Sequence, residues 1–261
     1  MIKRSLASLA ALVAASLTLS ACGSSGGSTA GGAELVKSGT LTVCSDVPYA
    51  PFEDFDKSSA LGFKGFDIDI VNAVAKGMGL KLKVMDEDFD GLQSGLTLNS
   101  GTCDLVASAM TITPDRKKHL DFTDGYYDSK QSLLVPDGSS IKSIDDLAGK
   151  KLGVQQGTTG KSYAEQHVKG ASIVTFPSDA EEFQALKAGQ VDALLQDLPV
   201  NLNHQQAGGY QVVQQFDTGE QYGFAAKKGN DALVKDVNQQ LAKLKKDGEY
   251  QKLYNKYFKV S

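Results

Sequence analysis

One arginine lies in a sequence context that could bind an anion. Residues 110–127 read MTITPDRKKHLDFTDGYY, so Arg116 follows a Thr-Ile-Thr-Pro turn and precedes an aromatic and acidic segment. A planar guanidinium on such a turn can bind a carboxylate through two parallel hydrogen bonds, which a lysine cannot reproduce. The alternative is a surface arginine in a short helix that begins at Pro114. Taken alone, Arg116 favours this alternative, so the rest of the chain has to decide between them.

The first 21 residues are typical of an export signal. Lys3 and Arg4 precede an apolar run from Leu6 to Leu19, and this run is shorter than the about 20 apolar residues that span a membrane. The segment ends in Leu-Ser-Ala-Cys, which resembles a bacterial lipoprotein signal. Cleavage before Cys22 would leave a cysteine that carries a lipid. The alternative is an ordinary secretory signal followed by an incidental cysteine.

A lipid-modified cysteine and a flexible tether are predicted for residues 22–38. Residues 23–33, GSSGGSTAGGA, carry no charge and no large side chain, so they cannot bury enough surface to become ordered. A Gly-rich segment of this length has a root-mean-square reach of roughly 18 Å. The sequence therefore predicts a protein anchored by a lipid at the outer face of a cell membrane, in the periplasm or on a cell surface.

The composition excludes several classes of partner. Removing Lys3 and Arg4 from the 27 basic residues leaves 25 against 31 acidic residues, so the mature chain has a net charge of −6. No basic run is interleaved with aromatic residues, so nucleic acid is not an expected partner. The three histidines are scattered, and no Cys/His cluster has metal-ligand spacing. We therefore expect neither a metal nor another cofactor. The mature length of about 240 residues can hold one large domain or two modest ones.

Two cysteines remain after the lipidated one, at positions 44 and 103. In an oxidising compartment an even pair suggests one disulfide, between Cys44 and Cys103. Closing the loop between them would stabilise the fold by about 4 kcal/mol in the chain-entropy model. The alternative is a pair of buried free thiols.

Strands alternate with helices along the chain. Apolar alternation and β-branched residues predict short strands at 40–45, 81–85, 104–107, 151–154, 173–176 and 193–195. Between them, apolar residues recur at helical spacing from Phe66 to Met78 and from Leu92 toward Gly101. Ser178 is predicted to cap a later helix, and a clear amphipathic stripe begins at Leu233. Such alternation is typical of parallel sheets built from βαβ units.

The βαβ pattern occurs twice, over residues 40–125 and 150–215. An extended segment at 131–135 lies between these regions, and a matching one at 221–226 leads from the second region to the C-terminal helices. We predict an α/β fold of two Rossmann-like lobes joined by a hinge of two strands. Lobe 1 would comprise 39–130 and 222–261, and lobe 2 would comprise 131–221. A ligand would then bind between the lobes, at the carboxyl ends of the strands.

Five motifs occur in an order that resembles a known family. They are GFDIDI at 65–70, FDGL at 89–92, SAMTITPDR at 108–116, LAGKKLGVQQGTTG at 147–160 and DALLQDLP at 192–199. Together they resemble the polar amino-acid-binding proteins of ABC importers, extracellular solute-binding proteins of family 3, over the chain from Gly39 to its end. The motifs resemble those of the glutamine-binding and lysine/arginine/ornithine-binding members in particular. The resemblance implies a type II periplasmic-binding-protein fold, a monomer and an ABC permease as partner.

The resemblance also assigns the groups that would hold the amino-acid backbone. Arg116 matches the arginine that binds the ligand α-carboxylate, and Thr111 matches a position that adds to that contact. Thr158 and Thr159 begin a helix whose N-terminal amides favour an anion, although they could also serve as simple caps. Asp197 matches the carboxylate that receives the α-ammonium, and its alternative role is the N-cap of the following helix. A ligand held between the lobes would bias a hinge equilibrium.

Four positions are implied to contact the ligand side chain, and a fifth departs from the family pattern. Asp46 matches an acid, and Tyr49 and Phe89 match aromatic walls, an arrangement that suits a cationic side chain or the donor end of a glutamine amide. Gln155 stands where the glutamine binder has lysine and the basic-residue binder has leucine, which argues mildly against glutamine. Ala109 replaces the glycine or serine of those relatives, which leaves one ligand contact open.

The predicted function is therefore capture of a polar L-amino acid, with arginine, lysine or ornithine favoured and glutamine next, for delivery to an ABC permease. One alternative is a cleft enzyme similar to cyclohexadienyl dehydratases, which would need a general acid or base in the cleft. His119 and His167 are candidates by residue type only, and the lipoprotein signal disfavours a metabolic enzyme. The other alternative is an amino-acid sensor without transport.

Overall fold

The computed structural model describes residues 27–28 and 32–258. The predicted signal peptide, Cys22 and residues 23–26 and 29–31 of the predicted tether lie outside the described residues. The strands are β1 Gly27–Ser28, β2 Glu34–Leu35, β3 Thr40–Ser45, β4 Asp54–Phe55, β5 Phe63–Lys64, β6 Lys81–Asp86, β7 Leu105–Val106, β8 Leu120–Phe122, β9 Tyr127–Pro136, β10 Lys151–Gln155, β11 Ser172–Phe176, β12 Ala193–Asp197, β13 Tyr210–Tyr222 and β14 Ala225–Lys227. The α-helices are α1 Phe66–Gly77, α2 Phe89–Gln93, α3 Leu96–Asn99, α4 Thr159–His167, α5 Asp179–Lys187, α6 Leu198–Gln206, α7 Asp231–Lys246 and α8 Glu249–Phe258.

The first lobe is built on a five-stranded sheet with the order β6-β3-β7-β14-β8. β3 is parallel to β6 and β7, whereas β14 is antiparallel to β7 and β8. The helices that cover it bury the apolar stripes expected from the sequence. Phe66 and Ile70 of α1 lie in one core cluster with Leu233 and Val237 of α7. This lobe therefore joins chain segments from both ends of the described fold.

The second lobe is built on a sheet with the order β11-β10-β12-β9-β13. β10 is parallel to β11 and β12, whereas β9 is antiparallel to β12 and β13. Successive residues of a strand point to opposite faces, and both faces of this sheet are covered. Leu133 and Leu195 accordingly lie in one core cluster, while Leu134 and Leu194 lie in another.

The chain passes between the lobes twice. It enters the second lobe along β9 and leaves along β13, which stays paired with β9 as far as Tyr222 and Tyr127. Aromatic rings pack at this crossing, where the centroid of Phe52 lies 5.1 Å from that of Tyr127 and 5.3 Å from that of Tyr222. The predicted arrangement of two α/β lobes joined by two strands is confirmed. Nothing in the strand pairing fixes the predicted lobe boundaries to the residue, so they stay a prediction.

Two local predictions differ from the structure. The single helix expected from Leu92 toward Gly101 is divided into α2 and α3, because Gly95 lies between them in the left-handed region at φ 78°. The extended segment expected at 221–226 is interrupted between β13 and β14. A Cβ at Gly223 would lie 2.8 Å from Cδ1 of Ile112, so a larger residue there would require the Ile112 side chain to move.

The N-terminal part of the first lobe extends into the segment predicted as a tether. Ala33 and Leu35 are buried in the core of the first lobe, and Leu35 lies in β2. Apolar side chains at these two positions explain why the ordered fold begins before Gly39. Within residues 27–28 and 32–258, no helix combines the length and apolar character needed to cross a membrane.

A disulfide joins Cys44 in β3 to Cys103 in the loop before β7, with the Cα atoms 5.9 Å apart. The predicted pairing is confirmed, and the alternative of two free thiols is wrong. Cys44 lies two residues before Asp46, so the crosslink anchors the strand end from which a predicted ligand residue projects.

Candidate functional site

A cavity of about 410 Å³ lies between the lobes, where β3, β10 and β12 end. The lining residues are Asp46, Tyr49, Phe89, Ser108, Ala109, Thr111, Arg116, Gln131, Gln155, Thr158, Thr159, Gly160, Gln196 and Asp197. The structure thus brings all ten residues predicted for ligand binding to one cavity. Their roles toward a ligand stay predictions.

Arg116 is buried at the cavity wall, with 4% of its surface exposed. It lies in a short 3-10 helix, Arg116–Lys118. Nη1 donates to the carbonyl oxygen of Thr111 at 2.8 Å, Nη2 donates to that of Gly157 at 2.9 Å, and Cζ lies 5.3 Å from the ring centroid of Phe89. Each terminal nitrogen carries a second N–H. Burial lowers the pKa of Arg116 to about 10. The alternative of a surface arginine is wrong.

The N-terminus of α4 lies opposite Arg116. Thr158 is the N-cap, and its hydroxyl accepts from the Lys161 amide at 3.1 Å and donates to the carbonyl oxygen of Gln155 at 2.8 Å. This hydroxyl therefore acts as a helix cap. A Cβ at Gly160 would lie 2.9 Å from the carbonyl oxygen of Leu195, so glycine lets α4 begin close to β12. The first N–H groups of a helix have no partner within it, which favours an anion in the cavity beside them.

Asp197 ends β12 with a carboxylate that is 7% exposed. Oδ2 accepts from the hydroxyls of Tyr49, at 2.9 Å, and of Tyr222, while Oδ1 accepts from Nε2 of Gln131 at 2.5 Å. Burial raises the pKa of Asp197 to about 7. The residue occupies the N-cap position of α6, yet its side chain makes no capping hydrogen bond. Its carboxylate serves the cavity, and the alternative role as a helix cap is wrong.

Asp46 and Gln155 contact each other from opposite lobes. Nε2 of Gln155 donates to Oδ2 of Asp46 at 2.6 Å and to the carbonyl oxygen of Pro177 at 3.0 Å. Burial raises the pKa of Asp46 to about 7. The amide of Asp46 donates to Oγ of Ser108 at 3.0 Å, so a first-lobe hydroxyl orients the loop that carries this acid.

Ala109 has a left-handed backbone conformation, with φ 42°. Its N–H donates to Oδ2 of Asp67 at 2.9 Å, and the same oxygen accepts from the hydroxyl of Tyr126 at 2.6 Å. A buried carboxylate from α1 thus holds the backbone in a conformation that alanine rarely adopts. Since its N–H is already bonded, Ala109 can offer a ligand only its carbonyl oxygen and methyl group.

Sequence reasoning missed four lining residues, Ser108, Gln131, Gly160 and Gln196. Gln196 and Gly160 stand next to predicted site residues, so their positions at a strand end and a helix start were available as a signal. It also missed Glu220 of β13, which hydrogen-bonds to the hydroxyls of Thr111 and Thr159. No local sequence signal distinguishes this acid from the other polar residues of β13.

The cavity carries an excess of negative charge. Arg116 is the one Lys or Arg among the lining residues, which also include Asp46 and Asp197. In the part of the chain that the structure describes, no group of His, Cys, Asp and Glu has an arrangement that could hold a metal ion. The arrangement can bind a carboxylate on one side and an ammonium on the other, and it retains a second carboxylate for a further donor group.

Fold and cleft together define a two-lobed α/β binding protein with an enclosed, charged site for a small molecule. The family described as bacterial extracellular solute-binding proteins, family 3, matches residues 41–260. The chain belongs to this family, and its fold is that of the type II periplasmic binding proteins.

Several known proteins are similar over most of their length. A probable histidine-binding protein of Neisseria gonorrhoeae is 38% identical, covering 95% of this chain and 94% of the relative. The ABC transporter glutamine-binding protein GlnH of Bacillus subtilis is 36% identical, covering 93% of each chain. The structure of an ancestral arginine-binding protein bound to arginine superimposes with a TM-score of 0.78 at 41% identity, covering 85% of this chain and 99% of the other.

Proposed function

We propose that this protein captures a polar L-amino acid between its two lobes and delivers it to an ABC permease. The observation that carries the proposal is the placement of Arg116 and Asp197 on opposite lobes around one cavity. A free amino acid has one carboxylate and one ammonium on the same carbon, and these two residues complement both. Relatives named for histidine, glutamine and arginine binding support the same class of ligand.

A basic side chain is favoured, with arginine, lysine or ornithine ahead of glutamine. When both lining carboxylates are ionised, they outnumber the single guanidinium, so a neutral amino acid would leave the site with one uncompensated negative charge. A cationic side chain directed at Asp46 would remove it. Gln155, which contacts Asp46, adds no positive charge. Tyr49 and Phe89 offer ring faces that attract a cation.

The cellular setting is proposed from the sequence. Cys22 would carry the lipid that holds the protein at the extracytoplasmic face of the cell membrane, with residues up to about 32 as the tether. Lobe 1 would comprise 39–130 and 222–261 together with the segment that buries Ala33 and Leu35, lobe 2 would comprise 131–221, and the protein would act as a monomer. We propose a binding protein rather than an enzyme, because the relatives are named as binding proteins.

A thermal-shift screen against the common amino acids, followed by calorimetric titration, tests the proposal. A ligand far above its dissociation constant raises the midpoint because it binds the folded state. Basic amino acids are expected to give the largest shifts. A sensor without transport would show the same binding, so amino-acid uptake by a strain that lacks the gene for this protein, compared with its parent, separates the two. If no amino acid shifts the midpoint, the proposed function is wrong.

Arg116→Ala is expected to weaken amino-acid binding by roughly 3–5 kcal/mol, which is at least a hundredfold, because it removes a charge buried against the ligand carboxylate. Lys118→Ala is the matched control. Its ammonium is exposed and bonds to Asp115 in the same turn. Calorimetric affinities of both variants are compared, and a near-wild-type affinity for Arg116→Ala would refute the carboxylate assignment.

A further inference from the structure

β13 carries an acid at the point where it leaves the second lobe. The pairing of β13 with β9 shifts register between Phe216 and Glu220, and Gly219 has a φ of 64° within this irregularity. A bulge of this kind re-aims the side chains that follow it. Glu220 pairs with Ser129 immediately after the shift, two residues before Tyr222.

The Glu220 carboxylate accepts four hydrogen bonds. Oε2 accepts from the hydroxyl of Thr111 at 2.7 Å and from the hydroxyl of Thr159 at 2.7 Å. Oε1 accepts from Nε2 of Gln131 at 3.0 Å and from the hydroxyl of Thr218 at 2.8 Å. A carboxylate has about four acceptor positions, so all of them are used.

A single oxygen of Glu220 therefore joins the two lobes. Thr111 belongs to the first lobe and lies in the turn that leads to Arg116, whereas Thr159 is the first residue of α4 in the second lobe. The strand that carries Glu220 is itself one of the two crossings. The two hydroxyls can keep these bonds only while their lobes stay close together. Hydrogen bonds to an ionised acceptor are about twice as strong as neutral ones.

We propose that Glu220 is a hinge-borne latch, a positioning residue that stabilises the closed conformation by bonding Thr111 and Thr159 at once. This inference rests on the proposed function for the identity of the ligand, but the closure it describes is measurable without one. The proposal also determines which groups remain to bind the ligand carboxylate. Because both threonine hydroxyls donate to Glu220, the ligand carboxylate is left to Arg116 and the amides of α4.

Glu220→Gln is the informative variant, because it keeps the shape of the side chain while it replaces one of two acceptor oxygens by a donor. Asp217→Asn is the matched control. Asp217 lies on the same strand, has a side chain that is 75% exposed and pairs with Lys130 at 3.3 Å. The Asp217→Asn variant removes the same charge, and the ion pair that it breaks joins only the two hinge strands β9 and β13. Circular dichroism and the thermal midpoint of each variant report whether it folds.

The first measurement is the distance between spin labels at Lys83→Cys in the first lobe and Lys169→Cys in the second. Both lysines are exposed. Glu220→Gln is expected to shift the population toward longer distances, both without additions and with L-arginine or L-glutamine as probes. Asp217→Asn is expected to match the parent. An unchanged distance distribution in Glu220→Gln overturns the latch.

The second measurement is stopped-flow release of L-arginine and L-glutamine. Glu220→Gln is expected to speed release by about tenfold or more, with association within about twofold of the parent. Thr159→Val should speed release in the parent but add little in the Glu220→Gln background, because both changes break the same bond. Additive effects overturn the latch.

If neither probe binds while Glu220→Gln still lengthens the distance, the latch stands and the proposed function fails. If Glu220→Gln does not fold, Thr159→Val carries both measurements with the same expected results.

Discussion

Burial has altered the ionisation of the three charged residues that line the cavity. It raises the pKa of Asp46 and of Asp197 to about 7 and lowers that of Arg116 to about 10. All three shifts favour the neutral form, because the low-polarity surroundings penalise charge. A zwitterionic ligand with a cationic side chain supplies the opposite charge to each group. Keeping these buried groups ionised without a ligand therefore costs free energy, and such a ligand would offset that cost on binding.

Amino-acid affinity is expected to rise with pH, because the ligand ammonium needs an ionised Asp197. Unfolded Asp titrates near 4, so between about pH 4 and pH 7 the folded protein keeps a proton that the unfolded chain has lost. Asp197 thus lowers the free energy of unfolding as the pH rises through this window. Binding at about pH 6 should release protons, more with L-arginine than with L-glutamine, since arginine also ionises Asp46.

Calorimetry in buffers of different ionisation enthalpy measures this release. Asp197→Asn should remove its share of the released protons, and Asp46→Asn should remove the difference between the two amino acids. Affinity that is constant from about pH 5.5 to about pH 8 would contradict the raised pKa values as a feature of ligand binding.

Asp46→Asn is expected to weaken arginine and lysine binding far more than glutamine binding. Asparagine keeps the size of the side chain and can still accept from Gln155, but it cannot neutralise a guanidinium or an ammonium. Asp88→Asn is the control, because Asp88 is exposed and does not line the cavity. Competitive titrations give the ratio of affinities. Equal losses for all three amino acids would assign Asp46 a structural role.

Among the helices and strands, the sequence best predicted those whose burial imposes a periodic pattern of apolar residues. The strand expected at 40–45 coincides with β3, and the cap expected at Ser178 accepts from the Glu181 amide at 3.3 Å. β13 was not predictable in the same way. Its 13 residues, YQVVQQFDTGEQY, are mostly polar and partly exposed, so no alternation indicates a strand of that length.

The same contrast holds for the residues of the candidate site. Arg116, Asp197 and the start of α4 belong to short motifs whose chemistry can be recognised from the sequence alone. Glu220 and Gln131 could not be recognised in this way, because their roles arise only when β9 and β13 pair and bring them beside Thr159. A register shift at Gly219 is a property of two strands together, and one strand's residues do not encode it.

Loss of the disulfide is expected to lower the free energy of unfolding by about 4 kcal/mol, the chain-entropy value for a loop of 59 residues. Thermal or denaturant unfolding of the Cys44→Ser, Cys103→Ser double variant measures the change. The parent treated with reductant provides a second comparison. Because the crosslink anchors the end of β3, the variant should also bind more weakly. Equal stability of variant and parent would refute this contribution.

The whole molecule is held closed by contacts between lobes as well as by the hinge. Tyr49 bonds to Asp197, Gln155 to Asp46, and Arg116 to the carbonyl oxygen of Gly157. Each bond uses a residue that lines the cavity. The side chains proposed to bind the ligand are therefore the same side chains that form hydrogen bonds between the lobes.

A ligand that contacts both lobes should make them unfold together. L-Arginine at about a hundred times its dissociation constant is expected to add about 2.7 kcal/mol to the free energy of unfolding. Differential scanning calorimetry should then show a single transition at a higher midpoint. Two transitions, only one of which moves with added arginine, would place the ligand on one lobe alone.

The hydroxyls of Tyr49 and Tyr222 that converge on Asp197 have an optical consequence. The chain contains nine tyrosines and no tryptophan, so its near-ultraviolet emission comes from phenol rings. A carboxylate that accepts a hydrogen bond from a phenol quenches its fluorescence, and here one carboxylate accepts from two. An ammonium that competes for Asp197 would relieve this quenching. Binding of the proposed amino acid is therefore expected to raise the tyrosine emission, which can be measured with no dye and no engineered fluorophore.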